Sequence, residues 1–178
     1  MIVWFASGNA HKRKELAAIL SAHALNVEMT VKTPFDAGLE FGPEELGNSF
    51  LENALIKATE LHRLLEDRRP AAYTSGDPVI ADDSGICVDF LEGRPGIHSA
   101  YYGGKELKSE ERNALLLSEL GDNPQRKARF VCAMVLYYSP ERFFVAQESL
   151  EGELVKGTEF ARGSGGFGYD PILYIPEL

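Results

Sequence analysis

An unbroken apolar run, Ile2 to Ala6, opens the chain and restricts what it can fold into. It reads as a strand buried on both faces, the kind found where helices cover a sheet from two sides. Ser7-Gly8-Asn9 breaks the run, and His11 to His23 then has helical character, with Leu16, Ile19 and Leu20 on one apolar face and Lys12, Arg13 and Glu15 near its start. A strand, a Gly-containing turn and a helix N-terminus favour anions, because the first N–H groups lack intrahelical partners and the helix dipole is positive there. Lys12 adds a cation one turn in; equally, a first-turn lysine can face only water.

The rest of the chain continues the alternation. Asn26 to Val31 is compatible with a second strand, and Lys32 to Gly47 is a polar stretch with Gly and Pro that holds Glu40, Glu44 and Glu45. Loops of more than about 12 residues without regular structure are often functional. Ser49-Phe50-Leu51-Glu52 fits a capping box. The helix it predicts carries Phe50, Ala54, Leu55, Ala58, Leu61 and Leu65 on its apolar face and ends near Arg69-Pro70. A later helix is expected after Ser109 as its cap, with Leu115, Leu116, Leu117 and Leu120 apolar and Gly121 to Pro124 closing it. Ala128 to Tyr138 and Phe143 to Ser149 predict a hairpin about Ser139-Pro140-Glu141-Arg142, and Glu151 to Lys156 is compatible with extending it. Strands alternating with helices, then a run of hairpins, indicate an α/β protein with a mixed sheet.

Between the second and third helices lies Ala81-Asp82-Asp83-Ser84-Gly85, flanked by Pro78-Val79-Ile80 and Ile86-Cys87-Val88. The pattern predicts strand, tight turn at Ser84-Gly85, strand. Adjacent carboxylates repel unless a metal, a basic side chain or a helix N-terminus offsets them. The alternative is that one aspartate faces solvent and the other caps the turn. Gly163-Ser164-Gly165-Gly166-Phe167-Gly168-Tyr169-Asp170-Pro171 is the other stretch rich in information. Its glycines permit close backbone approach, and its aromatics suit either a base-stacking platform, with Asp170 at a polar edge, or a core filling.

Composition excludes some classes. The 178 residues include 27 acidic and 18 basic ones, for a net charge of −9, which argues against a nucleic-acid polymer but not against a small polyphosphate held by Mg2+ and a few donors. Cys87 and Cys132 each sit in an apolar run, which predicts two buried, reduced thiols and a cytoplasmic protein. No apolar run reaches the roughly 18 residues of a membrane span. His11, His23, His62 and His98 show no metal-ligand spacing; there is no phosphate-binding G-x-x-x-x-G-K motif, and no G-x-S-x-G surrounds a serine.

Several blocks together carry a resemblance. Ser7-x-Asn9-x-x-Lys12-x-x-Glu15 resembles the S/T-x-N-x-x-K-x-x-E signature of the inosine/xanthosine triphosphate pyrophosphatase (Ham1-like) family. Phe50-x-Glu52-Asn53-Ala54, Ala81 to Gly85, Pro95-Gly96-Ile97-His98-Ser99-Ala100 and Gly166 to Pro171 are similar to further family blocks, in the same order.

The resemblance implies a single pyrophosphatase domain over 1–178, an α/β fold with an elongated mixed sheet flanked by helices, and two lobes around a central nucleotide cleft, usually in a homodimer. It also implies Mg2+-dependent hydrolysis of ITP, dITP and XTP to the monophosphate and pyrophosphate. By that resemblance Ser7, Gly8, Asn9, Ala10, His11 and Lys12 hold the triphosphate, and Glu45 and Asp83 ligate the metal. Asp83 also accepts the proton of the attacking water, Ser84 touches the substrate, and Phe167, Gly168, Tyr169 and Asp170 hold base and sugar, the aromatics by stacking. Asp82 keeps a lesser place, beside the metal or in the turn. Two departures stand out: Tyr101 where the family often has arginine, and an end at Ile175-Pro176-Glu177-Leu178, before the lysine and Ser-His-Arg motif that help recognise the purine, so that a shortened chain is expected. The alternatives are a Maf-like pyrophosphatase of other modified nucleotides and a nucleotide-binding module without turnover.

Overall fold

A computed structural model describes residues 1–23, 27–162 and 168–176. The elements, in chain order, are β1 (Ile2–Phe5), α1 (Ala10–His23), β2 (Thr30–Lys32), α2 (Phe50–Arg68), β3 (Val79–Val88), α3 (Ser109–Leu120), β4 (Lys127–Ser139), β5 (Arg142–Leu154) and β6 (Leu173–Tyr174), with short 3-10 turns between them. The six strands form one sheet in the order β2-β1-β3-β4-β5-β6. β1 runs parallel to both β2 and β3, whereas β5 and β6 are antiparallel, so the sheet is mixed, as the alternation of patterns predicts.

The chain divides into two compact units, one of residues Met1–Asp83 and Ala133–Gln147, the other of Ser84–Cys132 and Glu148–Leu178. In the first unit the sheet is covered on both faces. Trp4, Ala6, Val79, Ala81, Val135 and Tyr137 pack with Ala54, Ala58, Leu61 and Leu65 of α2, while Val3, Phe5, Val31 and Ile80 pack with Leu16 of α1. This two-sided burial is what makes Ile2 to Ala6 a continuous apolar run. Leu61 and Leu65 are fully enclosed, each contributing about 2 kcal/mol by removal from water. α2 starts where the capping pattern predicts: Ser49 Oγ accepts from Glu52 N at 3.1 Å, and the Glu52 carboxylate accepts from Asn48 N at 2.6 Å. Each bond satisfies a backbone donor at the helix entrance.

In the second unit Ile86 and Val88 pack with Leu116, Leu117 and Leu120 of α3 and with Tyr169, Ile172 and Leu173. Here three expectations are corrected. Ser109 is the first residue of α3 rather than its cap; Lys108 holds the cap position, and its N–H donates to Glu111 at 2.8 Å. Leu115 is exposed, since it falls outside the helix face that Leu116 and Leu120 define. Cys87 is buried but Cys132 is exposed, because alternation along β4 buries Val131 and Ala133 and turns Cys132 the other way.

The principal correction concerns Ser84-Gly85. There is no turn: β3 is one strand from Val79 to Val88. Gly85 is required for a different reason. A Cβ there would collide with Ser99 Oγ and the Gly96 carbonyl, so the glycine lets the 3-10 turn Gly96–Tyr101 pack against the strand. Ser99 Oγ accepts from Ile86 N at 2.9 Å and donates to Gly96 O at 2.6 Å, fixing that contact.

Candidate active site

Because β3 is continuous, Asp82 and Asp83 obey the strand alternation and point to opposite faces of the sheet. Ile80, two residues before Asp82, packs with α1, and Ala81, two before Asp83, packs with α2. Each aspartate therefore meets a different helix. Both are 8% exposed, and burial of that degree demands compensation for each carboxylate.

On the α1 face, Lys12 Nζ lies 2.5 Å from Asp82 Oδ2. Asp82 Oδ1 is buried and has no hydrogen-bond partner among the described residues. Asn9 caps α1: its Oδ1 accepts from His11 N at 2.9 Å and Lys12 N at 3.3 Å, and its own N–H donates to Ser7 Oγ at 3.1 Å. Gly8, Asn9, Ala10 and His11 are exposed, and Ser7 and Lys12 half-buried. The strand-to-helix junction is thus an exposed, donor-rich corner with one ammonium group directed at its base.

On the α2 face, Lys57 Nζ sits 3.0 Å from Asp83 Oδ1 and 3.3 Å from Glu45 Oε1. Asn53, one turn before Lys57, donates Nδ2 to Asp83 Oδ2 at 3.2 Å and accepts from Gly47 N at 2.9 Å. This side chain ties the long loop that carries Glu45 to the strand that carries Asp83. Neither Asn53 nor Lys57 was assigned a role from the sequence, where a lysine on a helix reads as a solvent group. The available signal was their spacing: a polar pair at i and i+4 within the face of Ala54, Ala58 and Leu61.

Two carboxylates sharing one ammonium leave a formal surplus of one negative charge, whereas the Lys12–Asp82 pair balances. Among the described residues no group of three His, Cys, Asp or Glu side chains converges as a metal set. The Glu45–Asp83 pair still fits a hard divalent cation in its donor chemistry. Mg2+ is usually held by one or two carboxylates, with water and substrate phosphates as the remaining ligands, and the Lys57 ammonium shows that both carboxylates can reach one cation.

Ser84 follows on the Asp82 side of the strand and is half-buried. Phe167 lies outside the described residues. Tyr169 does not present a stacking face: it is 2% exposed and packs with Ile86 and Leu116, and its hydroxyl donates to Ser99 O at 2.8 Å. Burial pushes its phenol pKa well above the ordinary value, against the opposing charge of Arg112. The core-filling alternative holds for this ring. Asp170 is exposed and Gly168 half-buried. Tyr101, at the position of the family arginine, contacts His98 through its hydroxyl at 2.8 Å.

A mixed α/β sheet with an ammonium-bearing helix entrance on one face and a two-carboxylate, one-lysine cluster on the other is the frame of a nucleotide-processing protein. The chain matches the Ham1 family over residues 3–178 and belongs to that family. It is 44% identical to the dITP/XTP pyrophosphatase of Treponema denticola, over 100% of this chain and 84% of the relative. It is 40% identical to the dITP/XTP pyrophosphatase of Escherichia coli O157:H7, over 98% of this chain and 82% of the relative. Among solved structures, the Staphylococcus aureus Ham1 protein superposes with a TM-score of 0.79 at 32% identity, covering 99% of this chain and 82% of that one. A nucleoside-triphosphatase, dITP/XTP pyrophosphatase, from Mycobacterium abscessus gives 0.74 at 33% identity, with 99% and 82% covered.

Proposed function

We propose that the chain, acting as one pyrophosphatase domain, hydrolyses non-standard purine nucleoside triphosphates (ITP, dITP and XTP) to the monophosphate and pyrophosphate. The observation that carries this reading is the convergence of Glu45 and Asp83 on one cation. Simple nucleotide binding has no use for carboxylates placed where phosphates would repel them; hydrolysis at phosphorus does.

In this reading Asp83 accepts the proton of the water that attacks the α-phosphorus. Asn53 Nδ2 and Lys57 Nζ hold its two oxygens and so fix the carboxylate in place. Glu45 and Asp83 would hold Mg2+, which supplies neutralisation of phosphate charge when bound. Lys12 and the backbone donors of Ser7 to Lys12 receive the pyrophosphate part, the triphosphate passing the end of β1, whose pairing with β3 stops at Phe5 and Ile80 short of both aspartates, and Asp82 holds Lys12 at the base of that corner. Ser84 touches the substrate, and Phe167 to Asp170 hold base and sugar, with Tyr169 serving through its backbone.

The reading extends to a cytoplasmic homodimer. No helix among the described residues is long and apolar enough to cross a membrane, and β5 exposes Phe143 and Val145 on one face and Phe144 and Leu150 on the other, apolar side chains that a second copy would cover. A pyrophosphate-release screen with Mg2+ over ITP, XTP, dITP, the standard triphosphates and modified pyrimidine triphosphates tests the activity. Release from the inosine and xanthosine nucleotides is expected; binding without release would replace the enzyme by a binding module, and preference for the pyrimidines would favour the Maf-like alternative.

A further inference from the structure

Two polar contacts secure the backbone that follows the glycine-rich stretch. Asn113, on α3, donates Nδ2 to the Gly168 carbonyl at 2.8 Å, and the Tyr169 hydroxyl donates to the Ser99 carbonyl at 2.8 Å. Ser109 precedes Asn113 by one helical turn, on the same face. A Cβ on Gly168 would stand 3.2 Å from Ser109 Oγ, so the Gly168 backbone lies directly against α3.

Asn113 is 6% exposed, and its Oδ1 has no hydrogen-bond partner among the described residues. The unpartnered Oδ1 is a cost that an apolar side chain would not carry, whereas the Nδ2 donor serves Gly168 O, which an apolar side chain would leave without that bond. Apolar packing does not call for an asparagine at this position; the bond to Gly168 O does. What the residue supplies is one donor, aimed at Gly168 O. Beyond that contact, Tyr169 is pinned to Ser99 and Asp170 emerges exposed.

We infer that Asn113 is a positioning residue for nucleoside recognition: by holding the Gly168 carbonyl it sets the backbone from which Asp170 meets the base and sugar. The inference rests on the reading above that Phe167 to Asp170 hold the nucleoside. It acts through Gly168 and requires no contact between Asn113 and the substrate.

The test compares two ligands that share phosphate chemistry and differ in the nucleoside: IMP and inorganic pyrophosphate, titrated calorimetrically into wild type, Asn113→Leu and Tyr169→Phe. Each variant removes one anchor and keeps the side-chain shape. Asn113→Leu is expected to raise the Kd for IMP about five- to tenfold, the scale of one hydrogen bond, while the Kd for pyrophosphate stays within twofold. Equal weakening of both ligands, or an unchanged Kd for IMP, overturns the inference. If Asn113→Leu does not fold, Asn113→Ala, which also removes the donor to Gly168 O, decides by the same comparison. Failure of the functional reading is seen separately, in the wild-type protein: no pyrophosphate released from ITP or XTP and no binding of IMP.

Discussion

Asp82 and Asp83 are neighbours in sequence that do not share a site face: Asp82 is held by Lys12 of α1, and Asp83 by Asn53 and Lys57 of α2, on opposite sides of the sheet. Their roles should separate accordingly. Asp83→Asn is expected to lower kcat for ITP at least 100-fold, the lower range for loss of a general base. Asp82→Asn, which releases Lys12, is expected to act mainly on KM. Steady-state kinetics of both variants with ITP check this; equal kcat losses would return the aspartates to one shared function.

Lys57 compensates two carboxylates at once. Lys57→Met leaves Glu45 and Asp83 without their cation and is expected to destabilise the protein by about 3 kcal/mol, as for removal of one partner from a largely buried ion pair. The rise in thermal midpoint on adding millimolar Mg2+ should then be larger in the variant than in wild type, since the metal takes over neutralisation. Identical shifts in the two proteins would remove Glu45 and Asp83 from the metal site.

Gly85→Ala places a methyl group against Ser99 Oγ and the Gly96 carbonyl. Backbone cannot yield as a flexible side chain does, so a loss of about 2–3 kcal/mol is expected in urea unfolding. A neutral substitution would contradict the close packing of the Gly96–Tyr101 turn on β3.

The two thiols should react at different rates. Cys132 is exposed, and Cys87 is buried, with burial raising its pKa. The thiolate is the reactive form, so at pH 8 alkylation followed by peptide mass spectrometry should label Cys132 first. Cys87 should label only at higher pH or on unfolding.

The local chemistry of single elements was legible in the sequence. Ile2 to Ala6 declared a strand covered on both faces, and Ser49 with Glu52 marked the start of α2 to the residue. Position relative to distant residues was not legible. Ser84-Gly85 has the composition of a turn, but the glycine answers to Ser99, which approaches from a separate segment. Lys57 has the composition of a surface residue and is drawn inward by carboxylates from a loop and a strand. Tyr169 sits among glycines, as an exposed aromatic would, yet its hydroxyl finds the Ser99 carbonyl and its ring completes a core. The carboxylates were identifiable as a chemical type; which face each would serve depended on the strand continuing through them.

If Ser7 to Lys12 hold the triphosphate as proposed, Asn9 gives the helix entrance a particular selectivity. Its side chain accepts from His11 and Lys12 N–H, so an anion bound at those two groups would replace a neutral amide oxygen already seated there. Hydrogen bonds to a charged acceptor are roughly twice as strong as neutral ones, so phosphate oxygens win that exchange and uncharged oxygens do not. A side chain that stabilises the resting helix would thereby also act as a threshold, favouring ligands with enough charge to displace it.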